Sequence, residues 1–341
     1  MACFTGPHGA PDFFTQESID EFFASDWQVH YNSNRLGVRF SWAEAKLDAA
    51  ERPVKRGCIR PTFTTANMRL AAINFTGDFP VILTRDGPSL GGFVCPVTIA
   101  KAELWKVGQV KPGDRIRFFP ISVEDAVARE KAMDRSVETL QTTSLAEFAV
   151  PSLADRDGVS AAGLVSLPAT FSTPAIVYRQ AGDNYILIEY GENVLDLALR
   201  LRVHVLMQHL RERAHPGIKE LSPGVRSLQV RYDSREISQQ ALVALLLEQE
   251  ARIGDVTQMK VPSRIVHLPM AFEDSATLDA VSRYADTVRA SAPWLPNNVD
   301  FIQRINGLPS REAVMETLFD ASYLILGIGR CVPRCAVRGA D

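Results

Sequence analysis

Residues 185–213 read YILIEYGENVLDLALRLRVHVLMQHLRER, a segment that joins a strand pattern to a helix pattern. The run Tyr185-Ile-Leu-Ile-Glu-Tyr190 is short, apolar and rich in β-formers, which predicts a buried strand. The next residues, Gly191-Glu-Asn193, predict a turn. From Leu195 to Arg213 the apolar residues recur at helical spacing, and His215-Pro-Gly217 marks the end of that helix. Its apolar face comprises Leu195, Leu199, Val203, Leu206 and Leu210.

The alternation of strand and helix continues downstream of this segment. Strand patterns occur at Ser227–Tyr232 and Ile265–Leu268, and amphipathic helix patterns occur at Ser238–Ile253 and Ser275–Ser291. Each such unit must bury one face against another layer. The second half of the chain is therefore predicted to be a small α/β or α+β sandwich with helices over one sheet.

The first 120 residues instead contain several short strand patterns separated by turns. Trp27–Phe40 suits a hairpin that turns near Asn32-Ser-Asn34, and Ala71–Leu83 contains two short apolar runs. A further strand pattern covers Phe93–Ile99, and Lys111-Pro-Gly-Asp114 has Pro and Gly in favoured turn positions. Many short strands with such turns indicate a barrel or a sandwich.

Two helices and a connecting segment complete the predicted organisation. Thr15 can cap a short helix, and Val123–Leu140 is charged and mostly helix-forming. The segment Thr142–Thr173 is rich in Ser, Ala, Thr and Pro, which is typical of an interdomain connection. The predicted fold class is α+β.

Composition excludes several classes of function. The 341 residues are 46% hydrophobic and 23% charged, as in ordinary globular chains, and this length favours two domains. A net charge of -3 without a basic stripe argues against nucleic-acid binding through phosphates. The apolar runs are too short to span a membrane, and the amino terminus lacks the pattern of a signal peptide. A cytoplasmic location is expected, with five cysteines too sparse for a disulfide framework.

The densest candidate for a functional loop is residues 77–93, GDFPVILTRDGPSLGGF. The charged pair Arg85-Asp86 precedes Gly87, and Gly91 and Gly92 follow, which permits close approach of the backbone to a ligand. The loop lacks the phosphate-binding pattern GxxxxGK[ST], so it is not a nucleotide P-loop. Spacing alone favours the simpler interpretation, a surface turn with a salt bridge.

A second candidate, residues 30–37, reads HYNSNRLG. It places the amides of Asn32 and Asn34 and the guanidinium of Arg35 around a tight turn. These groups suit a neutral, amide-rich ligand or a carboxylate, although Asn-rich turns are also common in hairpins. No metal site is predicted, because the spacing of the histidines near residue 209 does not place them on one helical face. The three histidines are His204, His209 and His215.

Beyond these patterns, the chain resembles the carboxyltransferase region of urea carboxylase, the biotin-dependent half of urea amidolyase. The part that resembles allophanate hydrolase subunit 2 is matched by residues 6–14, 30–37, 74–93 and 102–114. The part that resembles subunit 1 is matched by residues 182–191, 221–229, 292–298 and 304–308. These motifs occur in the family's order and cover most of the chain.

The resemblance implies a fold and a division into domains. It implies a cyclophilin-like β-barrel, then an α/β layer that leads into a second barrel, truncated here. The expected domains are a carboxyltransferase A/B part at 1–136, a linker at 137–173 and a C/D part at 174–329. The alternative is a binding or regulatory protein, since kinase-inhibitor and 5-oxoprolinase subunits use the same domain pair.

The resemblance also implies a reaction, in which carboxybiotin gives its carboxyl group to urea to form allophanate. The reaction needs hydrogen-bond partners for urea and a cation near the carboxylate. On the matching motifs we expect Arg35 or Arg85 to hold the carboxylate and Asp86 to orient urea. The expected substrate-binding residues are Asn32, Asn34, Gly91 and Gly92. The biotin carrier and the ATP-using biotin carboxylase are not present in this sequence, and the implied partners are therefore those two components.

Two segments suggest shifts of the reading frame. Codons permitted for Arg330–Asp341 can be read, after dropping one base, as the family's Asp-Val-Tyr-Leu-Gly-Ala-Pro. Residues Trp42–Leu70 allow a similar alternative reading, and a segment without a selected apolar pattern is expected to pack poorly. The sequence is then a truncated, partly frameshifted copy, or an inactive fragment, with an out-of-frame tail at 330–341. The apolar residues Tyr323–Ile328 would form an exposed strand edge.

Overall fold

The computed structural model describes residues 1–42, 70–76, 79–87, 94–141 and 163–324. The chain divides into two compact units, one from Met1 to Gln258 and one that begins at Met259. The first unit contains two β-sheets with helices, and the second consists of helices within the described residues. The predicted mixed α+β class is confirmed.

The first sheet has eight strands in the order β7-β2-β3-β5-β4-β6-β1-β8. Its strands are β1 (Ala2–Thr5), β2 (Trp27–Val29), β3 (Gly37–Trp42), β4 (Ala72–Thr76), β5 (Phe79–Leu83), β6 (Val97–Ile99), β7 (Arg115–Ile116) and β8 (Phe119–Pro120). All neighbours pair antiparallel except β1 and β8, which are parallel. The predicted hairpin and the two apolar runs around residue 77 are confirmed as β2–β3 and β4–β5.

This sheet curls so that its two edges approach each other. Strands β7 and β8 lie at opposite edges, yet only Arg117 and Phe118 separate them in the chain. Three Cα–Cα steps span at most about 11 Å. Seven strand spacings across a flat sheet would span roughly 34 Å. The short connection is therefore compatible only with a strongly curved sheet.

Aromatic side chains fill the inside of the curved sheet. The Phe22 ring lies 5.2 Å from both Trp27 and Phe118, and Phe40 contacts Phe118 at 5.7 Å. All four are essentially inaccessible to solvent. Burial of one such side chain contributes about 1.5–3 kcal/mol, so this cluster is a major stabilising feature of the first sheet.

Within the described ranges, three α-helices accompany the first sheet: α1 (Gln16–Ala24), α2 (Leu104–Val107) and α3 (Val123–Thr139). The predicted cap of α1 is confirmed, because the Thr15 hydroxyl accepts a hydrogen bond from the Ser18 N–H. Ser122 caps α3 in the same way through the Asp125 N–H. Both caps satisfy a backbone N–H that the first turn of a helix cannot pair internally.

The second sheet is antiparallel, in the order β12-β13-β11-β10-β9. It comprises β9 (Gly163–Leu167), β10 (Ile176–Gln180), β11 (Tyr185–Tyr190), β12 (Ile218–Pro223) and β13 (Ser227–Tyr232). Helices α4 (Leu197–Arg213) and α5 (Gln239–Ala251) contribute to the same hydrophobic core. Val203, Leu206, Leu242 and Leu246 are buried there with strand residues such as Ile188.

Three boundaries differ from the prediction. The segment interpreted as a connection contains β9, an edge strand whose first residue is Gly163. Helix α4 begins at Leu197 rather than Leu195, because the Asp196 carboxylate accepts from the Ala198 N–H and acts as the N-cap. Within Phe93–Ile99, only Val97–Ile99 is a strand among the described residues, since the Cys95 N–H donates to His8 instead.

The predicted strand Ile265–Leu268 is wrong. These residues have no regular structure, and the Ile265 side chain is 87% exposed. A run of four residues with three apolar side chains predicts a strand only where a neighbouring strand can pair with it. The described part of the second unit contains no strand.

The described part of the second unit contains α6 (Ser275–Thr287), α7 (Asn298–Asn306) and α8 (Arg311–Asp320). Asp274, Asn297 and Ser310 cap them. The predicted helix Ser275–Ser291 is confirmed, although it ends at Thr287. No helix within the described ranges is both long and apolar enough to span a bilayer.

The predictions about altered reading frame concern residues that the structure leaves mostly undescribed. Residues 43–69 and 325–341 lie outside the described residues, and so does most of the predicted exposed edge Tyr323–Ile328.

Candidate functional site

The antiparallel pairing of β3 and β5 brings two of the predicted loops together. Gly37 at the start of β3 pairs with Leu83 at the end of β5. The turn before β3 and the turn after β5 therefore meet. Arg35 Nε lies 2.7 Å from Asp86 Oδ2, and the Asp86 N–H donates to the Arg35 carbonyl at 3.3 Å. Two residues predicted from separate motifs are therefore direct partners.

The 30–37 turn is held by its own polar groups. The backbones of Asn34 and Gly37 exchange two hydrogen bonds of 3.1 Å, and Asn34 Oδ1 accepts from the Leu36 N–H at 2.8 Å. Ser33 Oγ donates to the His30 carbonyl at 2.7 Å and accepts from the Arg39 N–H at 3.1 Å. Because Asn34 Oδ1 already accepts a bond within the turn, this residue can offer a ligand its amide N–H groups.

The second turn depends on the absence of a side chain at Gly87. A Cβ atom there would lie 2.6 Å from the Leu36 carbonyl oxygen and 2.9 Å from that of Thr84. The Thr84 hydroxyl donates to the Arg35 carbonyl, which joins the two turns a second time. Gly87 therefore permits the close approach that places Asp86 beside Arg35.

The charged side chains of this site are open to solvent. The Arg35 side chain is 87% exposed and that of Asp86 is 44% exposed, and Arg85, Asn32 and Asn34 are also exposed. An exposed ion pair contributes about 0–1 kcal/mol to stability. The pair is thus accessible to a ligand and costs little to rearrange. Gly91 and Gly92 lie outside the described residues.

A buried ionic cluster, which the sequence analysis did not predict, joins the loop after β1 to the second sheet. Glu189 accepts from Arg179 at 2.8 Å and from Arg226 at 2.7 Å, and Arg179 also pairs with Asp12 at 2.6 Å. Burial raises the pKa of Glu189, but the charges of Arg226 and Arg179, with the hydrogen bond from Arg179, outweigh burial and hold this pKa below its ordinary value. The carboxylate therefore stays ionised between two guanidinium groups.

The motif at residues 6–14 contributes to the same contact between the loop after β1 and the second sheet, which is called the seam. A Cβ at Gly6 would lie 2.3 Å from the Cys95 carbonyl oxygen, and the His8 imidazole Nδ1 accepts from the Cys95 N–H at 3.0 Å. The Arg179 guanidinium lies over the Phe13 ring, 5.7 Å from its centre. The only sequence signal for this arrangement was the isolated Glu189 within an otherwise apolar strand.

A second buried network lies in the core of the second sheet. Glu250 on α5 accepts from Arg202 on α4 at 2.7 Å and from the Tyr190 hydroxyl at 2.6 Å. Burial, together with the Glu250 charge, raises the pKa of Tyr190 well above its ordinary value. The network connects both helices to β11 and leaves Tyr190 protonated, which is consistent with a structural role.

The fold and the arrangement of turns agree with comparisons to known families. Residues 1–120 match the carboxyltransferase domain, subdomain A and B, and residues 176–336 match the carboxyltransferase domain, subdomain C and D. The two matches follow each other and together span most of the chain. The protein therefore belongs to the carboxyltransferase-domain family.

Within that family, the chain is similar to one region of the urea enzymes. It is 45% identical over 334 residues to urea amidolyase of Saccharomyces cerevisiae, covering 95% of this chain and 18% of that protein. The crystal structure of Kluyveromyces lactis urea amidolyase superposes with a TM-score of 0.77 at 42% identity, covering 98% of this chain and 20% of that one. Urea carboxylase from Kluyveromyces lactis gives a TM-score of 0.76 at 42% identity, covering 98% and 29%.

These comparisons confirm the resemblance on which the sequence analysis relied. The chain matches the carboxyltransferase region of urea carboxylase and spans about a fifth of the length of the urea amidolyases. The relatives of high coverage are urea enzymes, so the regulatory or 5-oxoprolinase-type alternative is not the better supported one.

Proposed function

We propose that this chain is the carboxyltransferase part of a biotin-dependent urea carboxylase and forms allophanate from urea. The observation that carries the proposal is similarity to urea amidolyase and urea carboxylase along at least 95% of the chain. In the reaction, the N–carboxyl bond of carboxybiotin breaks and a new bond forms between that carbon and a urea nitrogen. One proton leaves the urea nitrogen and ends on the biotin nitrogen.

The two joined turns offer the groups that this transfer requires. The Arg35 guanidinium can bind two oxygens of a carboxylate at once, and Arg85, next to Asp86 in the sequence, supplies a second positive charge. Asp86 can accept hydrogen bonds from urea N–H groups, while the amides of Asn32 and Asn34 can donate to its carbonyl oxygen. Gly91 and Gly92 would let the backbone approach the substrate.

The partners follow from the same proposal. Biotin on a carrier domain supplies the carboxyl group, and a biotin carboxylase that uses ATP loads that carrier. This chain would bind the loaded carrier and urea, orient them and release allophanate. A cytoplasmic location stays a prediction from the sequence.

The finer description of the fold is also a proposal. We assign the curved first sheet to a cyclophilin-like barrel within domain 1–136, followed by a connection at 137–173. Strands β10 to β13 and helices α4 to α8 belong to domain 174–329, which would lead into a second barrel, whereas the edge strand β9 of the second sheet lies within the connecting segment. The curvature required by the short β7–β8 connection supports the first of these assignments.

A reconstituted assay tests the function. The chain is mixed with a separately prepared biotin carboxylase, biotinylated carrier, ATP, bicarbonate and urea, and allophanate is measured. We expect allophanate only when this chain and urea are both present. If 5-oxoproline but not urea were consumed, the 5-oxoprolinase-type alternative would replace the proposal. If the carrier were shown to be carboxylated and still no allophanate formed, the result would contradict activity of this chain.

A further inference from the structure

Helix α6 in the second unit has an apolar face that the described residues leave largely uncovered. Leu278, Val281 and Ala285 recur at helical spacing along this face. No residue of α6 is buried, and Leu278 is 45% exposed. An amphipathic helix ordinarily buries its apolar face against another element. The face of α6 therefore has the character of a contact surface.

This face forms one wall of a groove of about 450 Å³, which is called the α6 groove. The other wall is the segment 290–296, which follows the helix. No charged side chain lines the groove among the described residues. Small side chains, including Ser282, Ala285 and Ala290, belong to the lining and leave room for the side chains of a partner.

The same unit contains an apolar segment that is open to solvent. Residues 265–270 read IVHLPM and have no regular structure. Ile265, Val266, Leu268 and Met270 are all exposed, Leu268 by 75%. A contiguous run of exposed apolar side chains is uncommon on a monomer and marks an interaction site. An extended segment of this kind suits an uncharged apolar groove.

The charges beside the segment and beside the groove are complementary. Lys260 and Arg264 precede the segment, whereas Asp279 and Asp286 each follow a residue that lines the groove. Lys260, Arg264 and Asp286 form no ion pair within the part of the chain that the structure describes, and Asp279 forms only an exposed one with Arg283. A basic segment therefore meets an acidic flank when it enters the groove. Every copy of the chain carries both elements.

We propose that the α6 groove binds the segment 265–270 of a second copy of this chain, so that two copies exchange their segments about a two-fold axis. Such an exchange satisfies both copies and closes the assembly. One segment in each groove is a small contact, and interfaces below about 1,200 Å² are typically weak. The dimer should therefore dissociate on dilution. The inference does not depend on the function proposed for the chain.

Sedimentation velocity of the full chain over a wide range of concentration tests the exchange. We expect monomers in dilute solution and dimers in concentrated solution. Ile265→Asp places a charge where the dimer buries an apolar side chain, so dimerisation should weaken by at least about tenfold. Val137→Asp is the matched control, because Val137 is an exposed valine on α3 in the first unit. It should leave dimerisation unchanged.

A fluorescent peptide with the sequence of residues 260–271 examines the groove separately from the segment. The peptide should bind the Ile265→Asp chain, whose groove is free, and fluorescence anisotropy measures this binding. Ser282→Tyr fills the groove and removes no buried group, since Ser282 is exposed. This variant should neither dimerise nor bind the peptide. Thermal melting verifies the fold, and Ala290→Tyr on the other wall replaces Ser282→Tyr if that variant does not fold.

Loss of the dimer in both the segment and the groove variant, with the peptide bound by Ile265→Asp alone, supports the exchange. The proposal is overturned if the unmodified chain is monomeric at every concentration. It is also overturned if a dimer forms but neither substitution affects it, or if the peptide binds both variants equally. The segment is free in the monomer, so thermolysin cleavage within residues 265–270 should be fast in dilute solution and slow in concentrated solution.

Discussion

At the scale of single residues, substitution of Arg35 or Asp86 can separate a role of the ion pair in carboxyl transfer from a role in stability. Both side chains are exposed, so replacing either one should change the free energy of unfolding by less than about 1 kcal/mol. Arg35→Ala and Asp86→Asn are nevertheless expected to lower the rate of carboxyl transfer in the reconstituted assay by about 10²–10³. Carboxylation of biotin by the separate biotin carboxylase should be unaffected.

A second exposed ion pair supplies the control for this prediction. Arg117, between β7 and β8, pairs at 2.8 Å with Asp26, just before β2, and both side chains are again exposed. Arg117→Ala should keep the transfer rate of the unmodified chain. If Arg35→Ala and Asp86→Asn kept full activity, the two residues would have only a structural role in a surface turn.

Gly87 is predicted to be necessary for the contact between the turns. In Gly87→Ala the new methyl group would meet two backbone carbonyl oxygens, and neither can move as a flexible side chain could. Overpacking of this kind costs about 1–3 kcal/mol. Unfolding in guanidinium chloride should show that loss, whereas Gly108→Ala should show little, because the nearest atom to its added Cβ is 3.5 Å away. Equal stability of the two variants would contradict the close approach.

At the scale of secondary-structure elements, Glu189 on β11 stabilises the seam between the first loop and the second sheet. Glu189→Gln leaves Arg179 and Arg226 buried with a neutral partner, which is expected to cost about 3–5 kcal/mol. Glu189→Asp keeps the charge and should recover part of that loss. Denaturant unfolding of the three proteins at pH 7 measures both differences.

The effect of Glu189 should also depend on pH. Its pKa in the folded chain lies below the ordinary value of 4.5, so the ionised carboxylate stabilises the fold fully above that value. This contribution is lost as the pH falls through the lowered pKa. The difference in unfolding free energy between the unmodified chain and Glu189→Gln should therefore narrow below pH 4.5. A constant difference from pH 7 to pH 3 would show that the charge is not responsible.

The secondary-structure elements also show which parts of the fold local sequence patterns can predict. Local signals were sufficient for β11, β13 and α4, where a continuous apolar run or a helical stripe is bounded by a cap or a turn. The strand predicted at Ile265 failed because strand formation depends on a partner that local sequence does not reveal. Likewise, β9 was missed because its five residues lie within a segment rich in Ser, Ala, Thr and Pro that was interpreted as a connection.

The candidate site could be predicted only in part, because local sequence does not reveal contacts between distant segments. Arg35 and Asp86 were each chosen from a turn motif, but their contact depends on the pairing of β3 with β5. The contacts of the seam around Glu189 include the pair Asp12–Arg179, whose two residues are more than 150 positions apart. The residues of these contacts have no distinctive spacing in the sequence, so only the folded structure shows that they meet.

At the scale of the whole molecule, the two units differ in how much apolar surface they bury. Among the described residues, the buried hydrophobic side chains of the second unit are Ala292, Val299 and Val314, whereas the first unit has dozens. The second unit should therefore open at a lower free energy than the first.

Limited proteolysis checks this difference. Thermolysin should cleave first within the exposed apolar segment 265–270, before any site in the first unit. Mass spectrometry of the early fragments identifies the cleavage site. Early cleavage within α4 or β11, or protection of residues 265–270, would reverse the expected order of stability.

The position of β1 in the curved sheet has a consequence for synthesis of the chain. β1 lies between β6 and β8, so its two neighbours are residues 97–99 and 119–120. At about 5–20 residues per second, the ribosome needs roughly 6–24 s to reach residue 120. Until β6 is made, about 95 residues after β1, the buried residues Cys3 and Phe4 have no strand to pair with. β1 is thus made well before both of its partner strands, and in that interval it is a segment that a chaperone at the ribosome exit would shield.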